Sequence, residues 1–308
     1  MLTQRYPQSV RHFLPECLLL LGFLLSQDVA VAVADTGSGV TDTIEFDNGF
    51  SLKAHAVPGG VALVDLNSGN TSSTAQPDVF WQEKKITTLA RENRWFALVG
   101  LPLDITPGTY WLSVINTDID SDSPERQISF IVEAHEYPLQ KLQIADETRV
   151  TPPASLATRL QVERRQILNA RSAWRDDFDA ANFQLPVDGR ISSIFGLRRL
   201  FNNSRRSRHR GLDIAVPTGV PVFASHAGIV NEVGDFHFNG KTVFVDHGRG
   251  LVGLYSHLSK ILVRPGEYVI AGQTVGLVGA TGRVTGPHLH WGMALNGTWV
   301  DPALFIVD

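Results

Sequence analysis

The segment Thr285-Gly286-Pro287-His288-Leu289-His290-Trp291 decides how the C-terminal half of this chain is interpreted. It leads into an apolar stretch with the composition of a β-strand, and side chains along a strand alternate between its two faces. His288 and His290 are therefore expected to project from the same face. Two imidazoles on one face can hold a metal ion and a proton-transfer group in fixed relative positions, and either histidine is able to take either role.

A second segment, His209-Arg210-Gly211-Leu212-Asp213, could supply the rest of a metal site. It places a histidine and a carboxylate four residues apart at the start of an apolar run, and Gly211 is expected to give the backbone freedom to direct both side chains to one point. Adding one histidine of the downstream pair gives three protein ligands. Three nitrogen and oxygen ligands with one open position are typical of a catalytic zinc site.

Hydrolysis also requires a proton acceptor and groups that stabilise the developing charge. The sequence contains no His-Glu-x-x-His segment, so a histidine has to accept the proton. One candidate is His257, in the segment Tyr255-Ser256-His257-Leu258 at the end of an apolar run. The other is whichever histidine of the downstream pair does not bind the metal.

Together these three segments resemble the lysostaphin-type, LytM-like zinc metalloendopeptidases, which cut peptide cross-links in bacterial cell walls. The resemblance covers about residues 185 to 305 and extends to Gly276-Leu-Val-Gly-Ala-Thr-Gly282. It implies a small antiparallel β domain with an open groove and one Zn²⁺ per chain. The implied metal ligands are His209, Asp213 and His290, and the implied catalytic residues, which act on the water and the oxyanion, are His257 and His288.

The domain order also resembles that of secreted or periplasmic members from Gram-negative bacteria, whose usual substrate is the meso-diaminopimelate cross-link of peptidoglycan. The resemblance therefore implies a D,D-endopeptidase that acts on peptidoglycan stem peptides. Relatives that became activators of other wall hydrolases lack one or more metal ligands. The alternative function is such a non-catalytic wall-binding regulator, but the intact ligand set favours an active enzyme.

The chain has 308 residues, which is enough for two domains with separate cores. We expect a mainly β protein: an Ig-like antiparallel β-sandwich over residues 41–140, a helical linker over 152–182 and the zinc metallopeptidase domain over 185–308. The linker prediction rests on apolar residues at helical spacing, of which the last two are Trp174 and Phe178. The net charge of −4 gives no reason to expect binding to nucleic acid.

The N-terminus has the layout of a secretory signal peptide over residues 1–34. Arg5 and Arg11 precede a short apolar core, and a small-residue site predicts cleavage after Ala34. The expected location is the periplasm or the outside of the cell, and the alternative is an uncleaved inner-membrane anchor. The one cysteine, Cys17, lies in this leader in a poor context for lipid attachment, so the mature chain cannot form a disulfide or a thiolate metal site.

Seven of the ten histidines lie after residue 208, and not all of them can be functional. His226 and His237 are expected at the surface or the rim of a groove, and His247 at a hairpin turn. His55 and His135 are isolated in the first domain, where structural or surface roles are expected. That domain carries no catalytic constellation, and it could bind a regulatory partner or cover the groove and keep the enzyme latent.

A basic cluster that begins at Arg198 and Arg199 precedes and enters the first ligand segment. Arg205, Arg206 and Arg210 are its candidate substrate-binding residues, since guanidinium groups attract the carboxylates of stem peptides. The competing interpretation is a solvated surface loop.

Overall fold

The computed structural model describes residues 43–67, 75–115, 125–179, 181–203 and 205–307. The predicted signal peptide over residues 1–34 lies outside these residues. Within the described residues, no helix is both long and apolar enough to cross a membrane.

The N-terminal domain contains nine strands that form two antiparallel sheets and a hairpin. The sheets have the orders β3-β7-β6 and β5-β4-β8-β9, and β1 pairs with β2. The strands are β1 (Thr43–Glu45), β2 (Ser51–Lys53), β3 (Val61–Asp65), β4 (Asp78–Trp81), β5 (Lys84–Lys85), β6 (Thr87–Arg91), β7 (Arg94–Gly100), β8 (Gly108–Ile115) and β9 (Glu125–Val132).

The two sheets share one apolar core, which confirms the predicted sandwich. Alternating side chains of β3 and β7, including Val64 and Val99, lie in one buried cluster with Val79, Leu112 and Ile128 of the other sheet. Period-2 alternation in these strands is what allows one face of each sheet to be buried.

The opposite face of the β3-β7-β6 sheet packs against the C-terminal domain. Val61 and Leu98 belong to the same buried cluster as Leu295 and Val300 of that domain. The side chain of Asn296 accepts a hydrogen bond from Gly100 N at 3.3 Å and donates one to Thr87 Oγ1 at 2.9 Å. The two domains therefore share buried surface and hydrogen bonds.

The segment between the domains contains β10 (Leu139–Leu142), α1 (Glu147–Val150), a 3₁₀ turn (Ala154–Leu156) and α2 (Ala157–Arg171). The predicted helix over 152–182 is therefore wrong beyond Arg171. Trp174 lies against Gly250 and Phe178 stacks on His226, with ring centroids 5.5 Å apart. The helical spacing of Trp174 and Phe178 in the sequence therefore does not reflect a helix. Both residues lie in extended chain that packs on the C-terminal domain.

The C-terminal domain is built from thirteen strands and a final 3₁₀ turn, Pro302–Phe305, among the described residues. Its main sheet has the order β11-β14-β22-β18-β17-β16-β20, with β23 paired to β22. The strands are β11 (Arg190–Ser193), β12 (Arg198–Phe201), β13 (Arg205–Arg208), β14 (Leu212–Ala215), β15 (Pro221–Phe223), β16 (Gly228–Phe236), β17 (Gly240–Gly248), β18 (Leu251–Leu258), β19 (Lys260–Ile261), β20 (Tyr268–Val269), β21 (Thr274–Leu277), β22 (Leu289–Leu295) and β23 (Thr298–Val300).

The central strands of this sheet bring the sequence motifs together. The register places Asp213 of β14 opposite His290 of β22, and His290 in turn opposite Ser256 of β18. A smaller sheet has the order β15-β21-β19. The mainly antiparallel β architecture agrees with the prediction, with one exception: β10 pairs parallel to β12, with Gln140 opposite Arg199.

Candidate active site

Three side chains predicted as metal ligands converge on one point. His209 Nε2, Asp213 Oδ1 and His290 Nδ1 form a group whose members all lie within 4.8 Å of one another. The individual separations are 2.9 Å from His209 to Asp213, 2.8 Å from His290 to Asp213 and 3.1 Å between the two histidines. We call these three side chains the metal cluster.

The donor set fits a zinc ion. Bonds of about 2.0–2.1 Å in tetrahedral geometry place ligand atoms roughly 3.3 Å apart, and the observed separations are close to that value. His209 Nδ1 lies 2.7 Å from Ile194 O, so its proton is assigned to that hydrogen bond. The lone pair of His209 Nε2 is then directed to the cluster, as a metal ligand requires.

Gly211 is required for close approach of two chain segments. A Cβ at this position would lie 2.4 Å from Trp291 O and 2.7 Å from His290 Cε1. The predicted reason, backbone freedom, is therefore wrong, because Gly211 is not among the residues with positive φ. The missing side chain lets the loop between His209 and β14 lie directly against β22.

Asp213 is held as a buried carboxylate. Burial alone raises its pKa, but the contacts with His209 and His290 outweigh burial and hold the pKa well below the usual value. Its second oxygen, Oδ2, accepts a hydrogen bond from Arg199. With Oδ2 engaged, Oδ1 alone faces the metal cluster, which favours coordination through a single oxygen.

Arg199 is itself positioned by the segment between the domains. Its Nε donates to Gln140 Oε1 at 2.8 Å, and Gln140 Nε2 donates to Ser193 Oγ at 2.9 Å. The sequence placed Arg199 in a basic cluster without giving it a role, and it did not single out Gln140. The pairing of β10 with β12 joins residues 59 apart in sequence, and no local pattern indicates it.

His288 lies beside the metal cluster as predicted. Its Nδ1 is 2.9 Å from Gly286 O, and its Nε2 is 3.7 Å from Asp213 Oδ1. Burial lowers the pKa of His288, although the charge of Asp213 and the hydrogen bond with Gly286 raise it in part. The ring is therefore neutral at pH 7, with its Nε2 lone pair toward the cluster.

An irregularity in β18 places the His257 ring beside His288 and His290. The pairing of β17 with β18 shifts register between Lys241 and Val243, and His257 has φ of +65°. A bulge with a residue in the left-handed region redirects a side chain, and such conformations are concentrated at functional sites. The His257 ring centroid lies 4.9 Å from that of His288 and 5.8 Å from that of His290.

The protonation of His257, like that of His288, depends on burial and on a contact between Nδ1 and a backbone carbonyl. Its Nδ1 lies 2.8 Å from Thr281 O, which assigns the proton to Nδ1. Burial first, and then the neighbouring His288 and His290, lower its pKa well below the usual value. Three of the four histidines at the site thus use Nδ1 for a backbone carbonyl, and His290 alone presents Nδ1 to the cluster.

Two of the three candidate substrate-binding arginines can be placed in the structure. Arg206 and Arg210 are exposed and line a cleft next to helix α2. The side chain of Arg205 lies outside the described part of the molecule.

Two histidines predicted at the surface are buried. His226 is fully buried, 4.6 Å from the ring centroid of Phe183, with Nε2 3.0 Å from Ala181 O. His237 is 5% exposed, and its backbone N–H donates to Glu163 at 2.9 Å. Their flanking segments pack against residues that precede position 185, which local sequence does not reveal.

The expected hairpin turn, between β17 and β18, closely follows His247. His247 lies near the end of strand β17, fully buried next to His226, and burial lowers its pKa to about 3. His55 and His135 are not isolated from each other, since their ring centroids lie 5.8 Å apart, and His135 lies against Tyr137.

Two family models match the chain. Residues 207–302 match the peptidase family M23 model, and residues 54–133 match the model of the peptidase family M23 N-terminal domain. The first match contains the metal cluster, His257 and His288, and the second lies within the sandwich.

Curated relatives match about two fifths of the chain. Peptidoglycan DD-endopeptidase ShyA of Vibrio cholerae is 44% identical over 125 residues, which cover 40% of this chain and 29% of ShyA. DD-carboxypeptidase/endopeptidase Mpg of Neisseria meningitidis is 40% identical over 121 residues, which cover 39% of this chain and 28% of Mpg. The matched region thus spans under a third of these relatives.

A solved structure matches both domains. The crystal structure of an M23 peptidase candidate from Pseudomonas aeruginosa is 37% identical, with a TM-score of 0.65, and the match covers 82% of this chain and 95% of that one.

Proposed function

This chain belongs to peptidase family M23, and on that premise we propose that it is a zinc-dependent endopeptidase that hydrolyses peptide cross-links of bacterial peptidoglycan. The observation that carries the proposal is the convergence of His209, Asp213 and His290, with His257 and His288 beside them. A zinc ion held there supplies Lewis-acid polarisation and lowers the pKa of water to near 7.

The two remaining histidines supply the proton transfers. Both are neutral, and their Nε2 atoms are assigned a lone pair because Nδ1 donates to a backbone carbonyl. A neutral Nε2 can take a proton from the attacking water and then donate it to the leaving amine nitrogen. The imidazolium formed by the first of these transfers also stabilises the oxyanion that forms from the scissile carbonyl, until it passes its proton on.

The substrate assignment is supported by the names of the relatives. ShyA is named a peptidoglycan DD-endopeptidase, and Mpg a DD-carboxypeptidase/endopeptidase. We therefore assign D,D-endopeptidase activity at meso-diaminopimelate cross-bridges to this protein. Substrates of this kind lie outside the cytoplasm, in agreement with the predicted leader, so the proposed location is the periplasm or the outside of the cell.

The decisive experiment is hydrolysis of a defined substrate. The purified protein is incubated with a cross-linked muropeptide dimer, and the products are analysed by mass spectrometry. We expect monomers from cleavage of the cross-bridge, loss of activity with a chelator and its recovery with zinc. An intact dimer after incubation with the zinc-loaded protein would overturn the proposal.

A further inference from the structure

A cleft of about 770 Å³ lies between helix α2 and the loops that carry the candidate active site. Helix α2 forms one wall, and the β12–β13 hairpin and the turn between β16 and β17 contribute to the others. We call it the arginine cleft because five arginines line it: Arg164, Arg171, Arg206, Arg210 and Arg283.

The arginines of this cleft outnumber the acidic side chains of its lining. Among the described residues that line it, the acidic side chain is Glu163. Its Oε1 accepts from Arg159 at 2.6 Å and its Oε2 from His237 N at 2.9 Å, so both oxygens are engaged away from the lining arginines. The cleft is therefore positively charged and suits an anionic ligand.

Arg171 lies close to other positive charges of the cleft. Its Nε is buried without a hydrogen-bond partner among the described residues. Burial lowers its pKa, and the nearby charges of Arg210 and Arg164 lower it further. A half-buried guanidinium with a buried Nε and like charges nearby is stabilised by an anion that enters the cleft.

The floor of the cleft is apolar. It includes Ile167, Phe236 and Trp299, and the Arg171 guanidinium lies 5.7 Å from the Trp299 ring. The volume is that of a small-ligand site. Arginines that can bind carboxylates, together with an apolar floor, fit an acidic peptide better than a bare inorganic anion.

The cleft shares its loops with the candidate active site. Arg210 directly follows the predicted ligand His209, and the carbonyl of Asn239, which lines the cleft, accepts from His257 N at 2.9 Å. Arg283 lies two residues after Thr281, whose carbonyl is 2.8 Å from His257 Nδ1. The cleft and the candidate active site are thus formed by neighbouring segments of the chain.

We propose that the arginine cleft binds the free carboxylates of the peptide strand on one side of the scissile bond. The inference rests on the proposed function and deepens it, because it assigns the recognition of acidic peptide to residues of helix α2, which precedes the region matched by the peptidase model.

Binding is measured separately from cleavage to test this assignment. Isothermal titration calorimetry with the full-length His288→Ala variant uses a cross-linked muropeptide dimer and the same dimer with its free carboxylates amidated. We expect at least about tenfold weaker binding of the amidated dimer, and a similar loss when Arg164→Gln and Arg171→Gln are added. The matched control is Arg165→Gln, an exposed residue of α2 outside the cleft, which should leave binding unchanged.

The second measurement is steady-state kinetics of variants that retain His288. The Arg164→Gln/Arg171→Gln variant should raise KM at least about tenfold with kcat within about twofold of the wild type. Because Arg171 is half-buried, the exposed single variant Arg164→Gln is measured as well, and an intermediate rise is expected.

Equal binding of both dimers, or equal affinity of the double variant and the Arg165→Gln control, would overturn the inference while cleavage by the wild type still upheld the proposed function. Carboxylate-dependent binding without cleavage by the zinc-loaded wild type would instead refute the proposed function and leave the cleft as an acidic-peptide site.

Discussion

Asp213 and His290 face each other across the β14–β22 pair, and His290 Nδ1 lies 2.8 Å from Asp213 Oδ1. Two ligands separated by 77 residues in sequence are thus fixed by backbone hydrogen bonds of one sheet. The register of this sheet therefore sets the relative positions of Asp213 and His290.

The first prediction separates the two histidines of the downstream pair. His290→Ala should abolish stoichiometric zinc binding, because it removes one of three ligands. His288→Ala should retain zinc and lower kcat by about 10²–10⁴, the range of a lost acid–base group. Metal content by mass spectrometry and kcat on a cross-linked muropeptide check both. Full zinc occupancy in His290→Ala would refute the ligand assignment.

Arg199 is predicted to support the metal without touching it. Arg199→Gln should weaken zinc binding by about 10–100-fold, because Asp213 Oδ2 loses its charged partner and the carboxylate is less firmly oriented. Competition with a fluorescent chelator measures the affinity. Arg198→Gln, at an exposed neighbouring position in β12, is the matched control. Equal zinc affinities for the two variants would show that the ion pair does not position Asp213.

Gly211 is predicted to tolerate no side chain. Gly211→Ala should destabilise the fold by roughly 1–3 kcal/mol, because the added Cβ overlaps Trp291 O and the His290 ring. Urea denaturation compares it with Gly286→Ala, at a site-loop position where a Cβ would meet nothing within 4 Å. The idea fails if both variants unfold at the same urea concentration.

The left-handed backbone conformation of His257 is predicted to lower the stability of the fold. A left-handed φ is better tolerated by Asn than by a β-branched residue. His257→Asn should therefore be more stable than His257→Val by about 1 kcal/mol, although both lose turnover. Thermal unfolding of the zinc-free proteins measures the difference. If His257→Val were the more stable variant, the bulge conformation would not cost free energy.

Stability is predicted to fall in mild acid. The folded-state pKa of His247 is about 3, against 6.5 for an unperturbed histidine, so between these pH values the unfolded chain binds more protons. The contribution of His247 is fully present above about pH 6.5 and is lost as the pH falls toward 3. By linkage this amounts to about 2.5 kcal/mol between about pH 7 and pH 4.5.

Urea denaturation of the zinc-free protein at both pH values measures this loss. His257, His288 and His290, whose pKa values burial also lowers, act in the same direction. His247→Gln should reduce the difference between the two pH values, whereas an unchanged difference would show that His247 is not responsible.

The sequence was sufficient for many of the strands and, together with the family resemblance, for the residues that converge. Alternating apolar residues predicted β3, β7, β8 and β9, and the spacing of His288 and His290 predicted their common side. These features depend on local periodicity, which a sequence displays directly.

What the sequence missed depends on contacts between distant segments. Trp174 and Phe178 followed helical spacing but lie in extended chain, because packing against the C-terminal domain overrides a local pattern. The bulge at His257 and the Gln140 contact with Arg199 arise from strand pairing. Local periodicity does not specify which strands pair or where their register shifts.

The pairing of β10 with β12 limits where the protein can be cut. A fragment that begins at residue 185 would lack β10 and leave β12 with an unpaired edge, and it would uncover the apolar surface under β7. Unpaired edges and bare apolar patches promote self-association. We therefore expect a fragment that retains the N-terminal sandwich and β10 to be more soluble than one that begins at residue 185, because the buried surface of the peptidase domain extends beyond the family motif.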